Sequence, residues 1–152
     1  MFESLVRRVR EGWCSFEARL AGRRIPQRLL GRMGERRAAW FYRLRGYRIA
    51  GRNIRFPDGE IDLVVRRGRM VVIAEVKTRQ SRTAGEGYDA VDRRKREQLV
   101  RLADRYLAGS RPAELRYDVL SLYWTGRRFV VSHFADAFRP TSDARRPWQW
   151  RA

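Results

Sequence analysis

Two apolar runs, Ile61 to Val65 and Val71 to Ala74, flank Gly68-Arg69. A two-residue loop that opens with glycine suits a right-twisted hairpin, so the spacing predicts antiparallel strands with Arg67 opposite Met70. Counting outward sets Asp62 opposite Glu75. Side chains alternate with a period of two, so Asp62, Glu75 and Lys77 then share one face. Both strands are apolar on each side, Ile61 and Leu63 on one face and Val64 and Val71 on the other, the pattern of central strands covered above and below.

The remaining periodicity places elements around this hairpin. Residues 2 to 20 carry Phe2, Leu5, Val6, Val9, Trp13, Phe16 and Leu20 at helical spacing with arginines between them, a basic amphipathic helix. Gly22 to Gln27, with Pro26, reads as a linker. Residues 29 to 45 form a helix with one apolar stripe of Met33, Trp40, Phe41 and Leu44; Glu35 lies on a second stripe with Ala38, Ala39 and Tyr42. Tyr47 to Phe56 reads as a strand and Pro57-Asp58-Gly59 as a turn. A polar stretch, Gln80 to Tyr88, precedes a helix capped by Asp89 and running to about Leu107. Residues 115 to 124 and 128 to 134 alternate and form a second hairpin joined at Thr125-Gly126. The fold class is α/β, a mixed central sheet flanked by helices in the order helix, three strands, helix, two strands. Residues 1–28 are an extension and linker, 29–138 a single domain, and 139–152 a basic tail containing Trp and Pro.

Two carboxylates opposite each other in a covered strand pair have Cβ atoms about 5 Å apart and repel. Their burial costs free energy unless a cation lies between them. Hard oxygen ligands with room for water suit Mg²⁺ or Mn²⁺. Lys77 points at the same spot and could orient or deprotonate a water there. The alternative is a solvated edge hairpin in which Asp62 and Glu75 pair with Lys77 and nearby arginines. Asp58 belongs to the turn, so the strand residue Asp62 is the candidate ligand.

Gly59-Glu60-Ile61-Asp62-Leu63 followed by Glu75-Val76-Lys77-Thr78-Arg79 resembles the signature of the YraN-like proteins, small bacterial proteins assigned to the restriction-endonuclease-like PD-(D/E)XK nuclease fold. The likeness extends through Gly34-Glu35, Gly46-Tyr47-Arg48-Ile49, Arg52-Asn53, Gly87, Ala90-Val91, Lys95, Tyr106-Leu107 and Arg116-Tyr117-Asp118-Val119, about residues 31 to 138. Phe41-Tyr42 and Ala50 depart mildly from the family pattern. The resemblance implies a restriction-endonuclease-like core and distant kinship with archaeal Holliday-junction resolvases. It implies a metal held by Asp62, Glu75 and the Val76 carbonyl, with Lys77 activating water. Glu35 and Lys95 would be auxiliary catalytic groups, although a glutamate in a first turn also suits the helix dipole and a lysine stem can simply pack. Arg79, Arg82 and Arg55 are candidates for phosphate contacts.

Charge sharpens the expectation of a polyanionic partner. Lys and Arg total 35 against 17 acids, a net charge of +18 and a pI near 11.5. Only Lys77 and Lys95 are lysines, compact titratable ammonium groups that a guanidinium does not replace. His133 and Cys14 stand alone in their residue types, which excludes paired-histidine nucleases, multi-histidine zinc hydrolases, internal disulfides and cysteine-rich zinc sites. His133, in a strand, reads as structural. No apolar run approaches the length of a membrane span, no signal peptide or phosphate-binding loop is present, and the expected location is the cytoplasm.

The leading expectation is a Mg²⁺- or Mn²⁺-dependent endonuclease hydrolysing DNA phosphodiesters, structure-specific in the manner of resolvases. The second is a nucleic-acid-binding protein that keeps the fold without cleaving; the third is an RNA- or ribosome-associated basic protein. Cutting two strands as resolvases do requires a homodimer, which the sequence leaves open together with duplex, branched and single-stranded substrates.

Overall fold

The computed structural model describes residues 25–80, 91–110 and 112–140. The predicted helix at 2–20, most of the 80–88 stretch with Arg82, the Asp89 cap and all but the start of the basic tail lie outside them. The described elements are α1 (Gln27–Arg43), β1 (Arg48–Phe56), β2 (Gly59–Arg67), β3 (Met70–Arg79), α2 (Arg93–Tyr106), β4 (Glu114–Trp124) and β5 (Phe129–Phe138).

The strands form one sheet in the order β1-β2-β3-β4-β5. The β3–β4 pair is parallel and the others are antiparallel. Arg67 pairs with Met70 across the Gly68-Arg69 loop, and Gly68 takes φ 59°, the positive value that a glycine supplies at the first loop position. Returning from the end of β3 to the start of β4 takes a crossover, and α2 provides it.

Each helix covers one face of the sheet. Beneath α1, Leu30, Met33, Ala38, Phe41 and Tyr42 pack on Leu63, Val65, Val72, Ala74, Leu120, Leu122 and Trp124. Beneath α2, Leu99, Leu102 and Ala103 pack on Ile61, Val64, Val71, Ile73, Tyr117 and Val119. Each fully buried Leu, Ile or Val contributes about 1.5–3 kcal/mol, so β2 and β3, buried from both sides, anchor the fold. At Gly34 the helix touches the sheet so closely that an added Cβ would lie 2.0 Å from Thr78 Oγ1. This close approach brings Glu35 to the sheet's first strands.

Four expectations change. Ile61 belongs to the α2-side core with Val64, and Leu63 to the α1-side core, so alternation breaks between them. The break falls where Asn53 of β1 adopts φ 50° opposite Asp62, in a ladder bracketed by Arg52↔Leu63 and Ile54↔Ile61. The second helix begins at Arg93, because the Asp92 carboxylate accepts from the Lys95 amide at 2.8 Å and caps it. Leu44 leaves the predicted apolar stripe, 37% exposed, because α1 ends at Arg43. β5 runs on to Phe138, past a bulge in which Asp136 takes φ 51°.

Candidate metal and phosphate site

The β2–β3 ladder closes from the turn outward as far as Leu63↔Ala74. Beyond it the Val76 amide donates to Asp62 Oδ2 at 2.7 Å. A side chain has taken the place of a ladder bond, so the strands part where the register would set Asp62 opposite Glu75. β3 continues in parallel pairing with β4 through Arg79↔Tyr123, which holds Glu75, Lys77 and Thr78 on a firm strand while their β2 side opens.

Glu75 is 2% exposed. Lys77 Nζ lies 2.7 Å from Glu75 Oε1, and Lys95 Nζ, reaching from the first turn of α2, lies 3.4 Å from Oε2. The longer contact is an ion pair without hydrogen-bond geometry, so Oε2 is buried with no hydrogen-bond donor. Burial and the Glu75 charge raise Asp62 from its ordinary 3.8 to about 7; the Val76 amide, Lys95 and Lys77 pull in the opposite direction. Two acids and two ammonium groups thus share one partly covered recess. A carboxylate pushed up by burial and a like charge is a recurrent mark of functional sites.

Glu35 takes another partner. Its Oε2 accepts from Asn53 Nδ2 at 2.9 Å, and Asn53 stands across from Asp62 in the β1–β2 ladder. The helix acid therefore meets the site through an asparagine that the sequence reading named only within the family likeness and gave no role. An asparagine within a strand was the available signal, since Asn tolerates the left-handed backbone better than most residues. Gln80 was missed as well. Its amide accepts from Ile25 N at 3.0 Å and donates to Ile25 O at 2.7 Å, tying the entry of α1 to the end of β3.

The arginines divide. Arg79 is half-buried at the end of β3 and is engaged. Arg55 is exposed on β1 and lies 4.0 Å from Glu60, an ion pair worth little in water. Arg82 lies outside the described residues. His133 is structural: its Nε2 is 2.7 Å from Asp118 Oδ2, with the Phe41 and Tyr42 rings edge-on to it. Asp118 also accepts from both ends of the Arg116 guanidinium, from Tyr42 and from the Asp136 amide.

A model of an uncharacterised protein family, UPF0102, matches residues 34–122, which span Glu35, Asp62, Glu75, Lys77, Lys95 and Asp118. The chain belongs to this UPF0102 family. It is 44% identical over 115 residues to a UPF0102 protein of Syntrophotalea carbinolica, covering 74% of this chain and 94% of that one. It is 49% identical over 118 residues to one of Parafrankia sp., covering 76% and 99%. A more distant UPF0102 protein, from Caldanaerobacter subterraneus, is 31% identical over 121 residues, again covering 76% and 99%. Among the described residues no helix is long and apolar enough to cross a membrane.

Proposed function

We propose that this UPF0102 protein is a metal-dependent endonuclease of the restriction-endonuclease-like class, hydrolysing phosphodiesters of DNA. The observation that carries the reading is Glu75: a buried carboxylate beside Asp62, with one oxygen on Lys77 and the other lacking a hydrogen-bond donor. Buried polar atoms are normally satisfied, and those that are not call for an explanation such as an ion.

The donor set fits a hard divalent cation. Among the described residues no three acidic, histidine or cysteine side chains gather to enclose a metal. Mg²⁺ and Mn²⁺ do not need that, because they are commonly held by one or two carboxylates plus water and substrate oxygens. Asp62, Glu75 and the Val76 carbonyl would hold the ion. Bound there, it would supply charge to offset the phosphate oxygens and acidity to a coordinated water.

The remaining chemistry belongs to the chain. Lys77, held on Glu75 and about a third exposed, faces both the carboxylates and solvent, so it can orient the attacking water. Lys95 balances Glu75 and can turn its ammonium to the scissile phosphate once that charge is otherwise met. Glu35 and Asn53 fix the β1 side of the recess.

A second reading, binding without cleavage, is favoured by the same two lysines, which balance Glu75 without a metal. Cleavage of labelled duplex, single strand, flap, four-way junction and RNA in Mg²⁺, Mn²⁺ or EDTA separates the two. The nuclease reading expects metal-dependent cutting that Asp62→Asn and Lys77→Ala both lose. Binding of the panel without cutting, equal in EDTA and unchanged in both variants, would overturn it in favour of the binding protein.

A further inference from the structure

The two helices treat their arginines unequally: α2 engages three of its five, leaving Arg94 and Arg101 exposed and without a hydrogen bond or ion pair among the described residues. On α2, Arg93 pairs with Glu97 at 2.8 Å, Arg96 donates to the Val91 carbonyl at 2.7 Å, and Arg105 pairs with Asp58 at 2.5 Å. On α1, Arg28, Arg32 and Arg36 are exposed, and none has a hydrogen bond or ion pair among the described residues. They are spaced four apart, so they fall within an arc of about 80° and rise about 6 Å from one to the next. Arg43 is exposed near the same arc and lies over the Trp40 ring at 5.0 Å.

This row costs the helix stability. Like charges four residues apart repel, and Arg28 occupies a first turn that holds no acid and has no side-chain cap. The one acid of α1, Glu35, is turned to Asn53 and does not relieve the row. The row borders the part of α1 from which Glu35 reaches Asn53, across from Asp62, while Gly34, which rests on Thr78, is turned away from it.

We propose that the outer face of α1 is a docking track for the phosphate backbone of one nucleic-acid strand, with Arg28, Arg32 and Arg36 each meeting a phosphate. The proposal rests on the nucleic-acid reading above and adds which surface carries the strand. One strand of a duplex offers a phosphate about every 3.4 Å of axis, so cations about 6 Å apart match roughly every second phosphate along the axis, within the reach of an arginine side chain, without contacting bases. Recognition on this face is therefore independent of sequence.

The test is binding of labelled duplex and single-stranded DNA to the full chain in EDTA across a salt series. Wild type is compared with Arg28→Gln/Arg32→Gln/Arg36→Gln and with a control, Arg66→Gln/Arg69→Gln/Arg127→Gln, which removes three exposed arginines elsewhere. Glutamine keeps helix propensity, and unchanged circular dichroism confirms the fold. The track expects the α1 variant to lose about tenfold or more in affinity at low salt and the slope of log K against log salt to flatten by about 2 to 3. The control should change the slope by less than about one. Equal losses in the two variants would overturn the track and leave the nucleic-acid reading standing. Failure of the wild type to bind either nucleic acid would overturn both. The same variants are also tested on phosphatidylglycerol vesicles, and a loss confined to those vesicles would overturn the track in favour of a membrane surface.

Discussion

Two buried acidic groups lie on opposite faces of the same sheet and are treated in opposite ways. Asp118, on the α1 side, is 1% exposed and receives hydrogen bonds from Tyr42, Arg116, His133 and the Asp136 amide. Burial alone would raise its pKa; those bonds, led by His133 and Arg116, outweigh burial and hold it at about 2. Asp62 and Glu75, on the α2 side, have one backbone amide and two lysines between them, and Asp62 moves up to about 7. A carboxylate supplied with every donor it can use is a structural joint. On the proposed reading, a pair left short of donors, with a buried oxygen unsatisfied, would accept a cation that the chain does not provide. The comparison separates function from architecture better than burial does, since Glu75 and Asp118 are about equally buried.

The largest expected effect is on the satisfied side. Asp118→Ala leaves the Arg116 guanidinium and the Tyr42 hydroxyl without their acceptor in a nearly closed space, and removing one partner of a buried pair costs about 3–5 kcal/mol. Urea denaturation should show the loss in the midpoint with little change in slope. A loss under about 1 kcal/mol would mean that water enters and satisfies the group, and the contrast with Asp62 and Glu75 would narrow.

The next effect uses acid. Asp118 has a folded pKa of about 2 against an ordinary 3.8, so it contributes stability that is fully present above pH 4 and lost as the pH falls toward 2. A shift of that size is worth about 2 kcal/mol. Thermal melts between pH 5 and pH 2 should show wild type losing that increment over this window. His133→Phe, which removes the leading donor, should flatten the loss; equal acid sensitivity in the two proteins would assign it to other carboxylates.

The sequence exposed these two groups unequally, for physical reasons. The Asp62–Glu75–Lys77 grouping was legible because a hairpin's register follows from its own turn and apolar runs, all within one local stretch. Lys95 was legible as a candidate because its helix was periodic, though the cap lay at Asp92 and not at Asp89. The Asp118 joint was not legible beyond a general pairing with arginine. Tyr42 is 76 residues away and His133 is 15 away, and only the packing of α1 across β4 and β5 brings them together. Arg116, two residues upstream on the same strand face, was the readable part. The parity break between Ile61 and Leu63 was hidden because alternation is assumed unless a bulge announces itself. Asn53, with its left-handed backbone, was that announcement.

The smallest effect has the opposite sign and concerns the pair left short. In EDTA, Asp62→Asn removes the charge that burial and Glu75 disfavour while keeping an oxygen able to accept from the Val76 amide. The attraction of Lys77 and Lys95 is already counted in the raised pKa of Asp62, and because Asp62 is only half-buried, water screens much of the remainder and leaves a net stabilisation of about 1 kcal/mol at pH 8. The sign follows from linkage: with its folded pKa raised to about 7, Asp62 contributes stability that is fully present below pH 4 and lost as the pH rises through 7. The wild type should therefore weaken between pH 4 and pH 7 where the variant does not, and the two should melt alike at pH 4, where the aspartate is protonated. Added Mg²⁺ or Mn²⁺ should then reverse the ranking at pH 8, raising the wild-type melting temperature and leaving Asp62→Asn where it was. A variant less stable than wild type in EDTA at pH 8 would show that the lysines already satisfy both acids. The recess beside Lys77 would then be a second structural joint like that of Asp118.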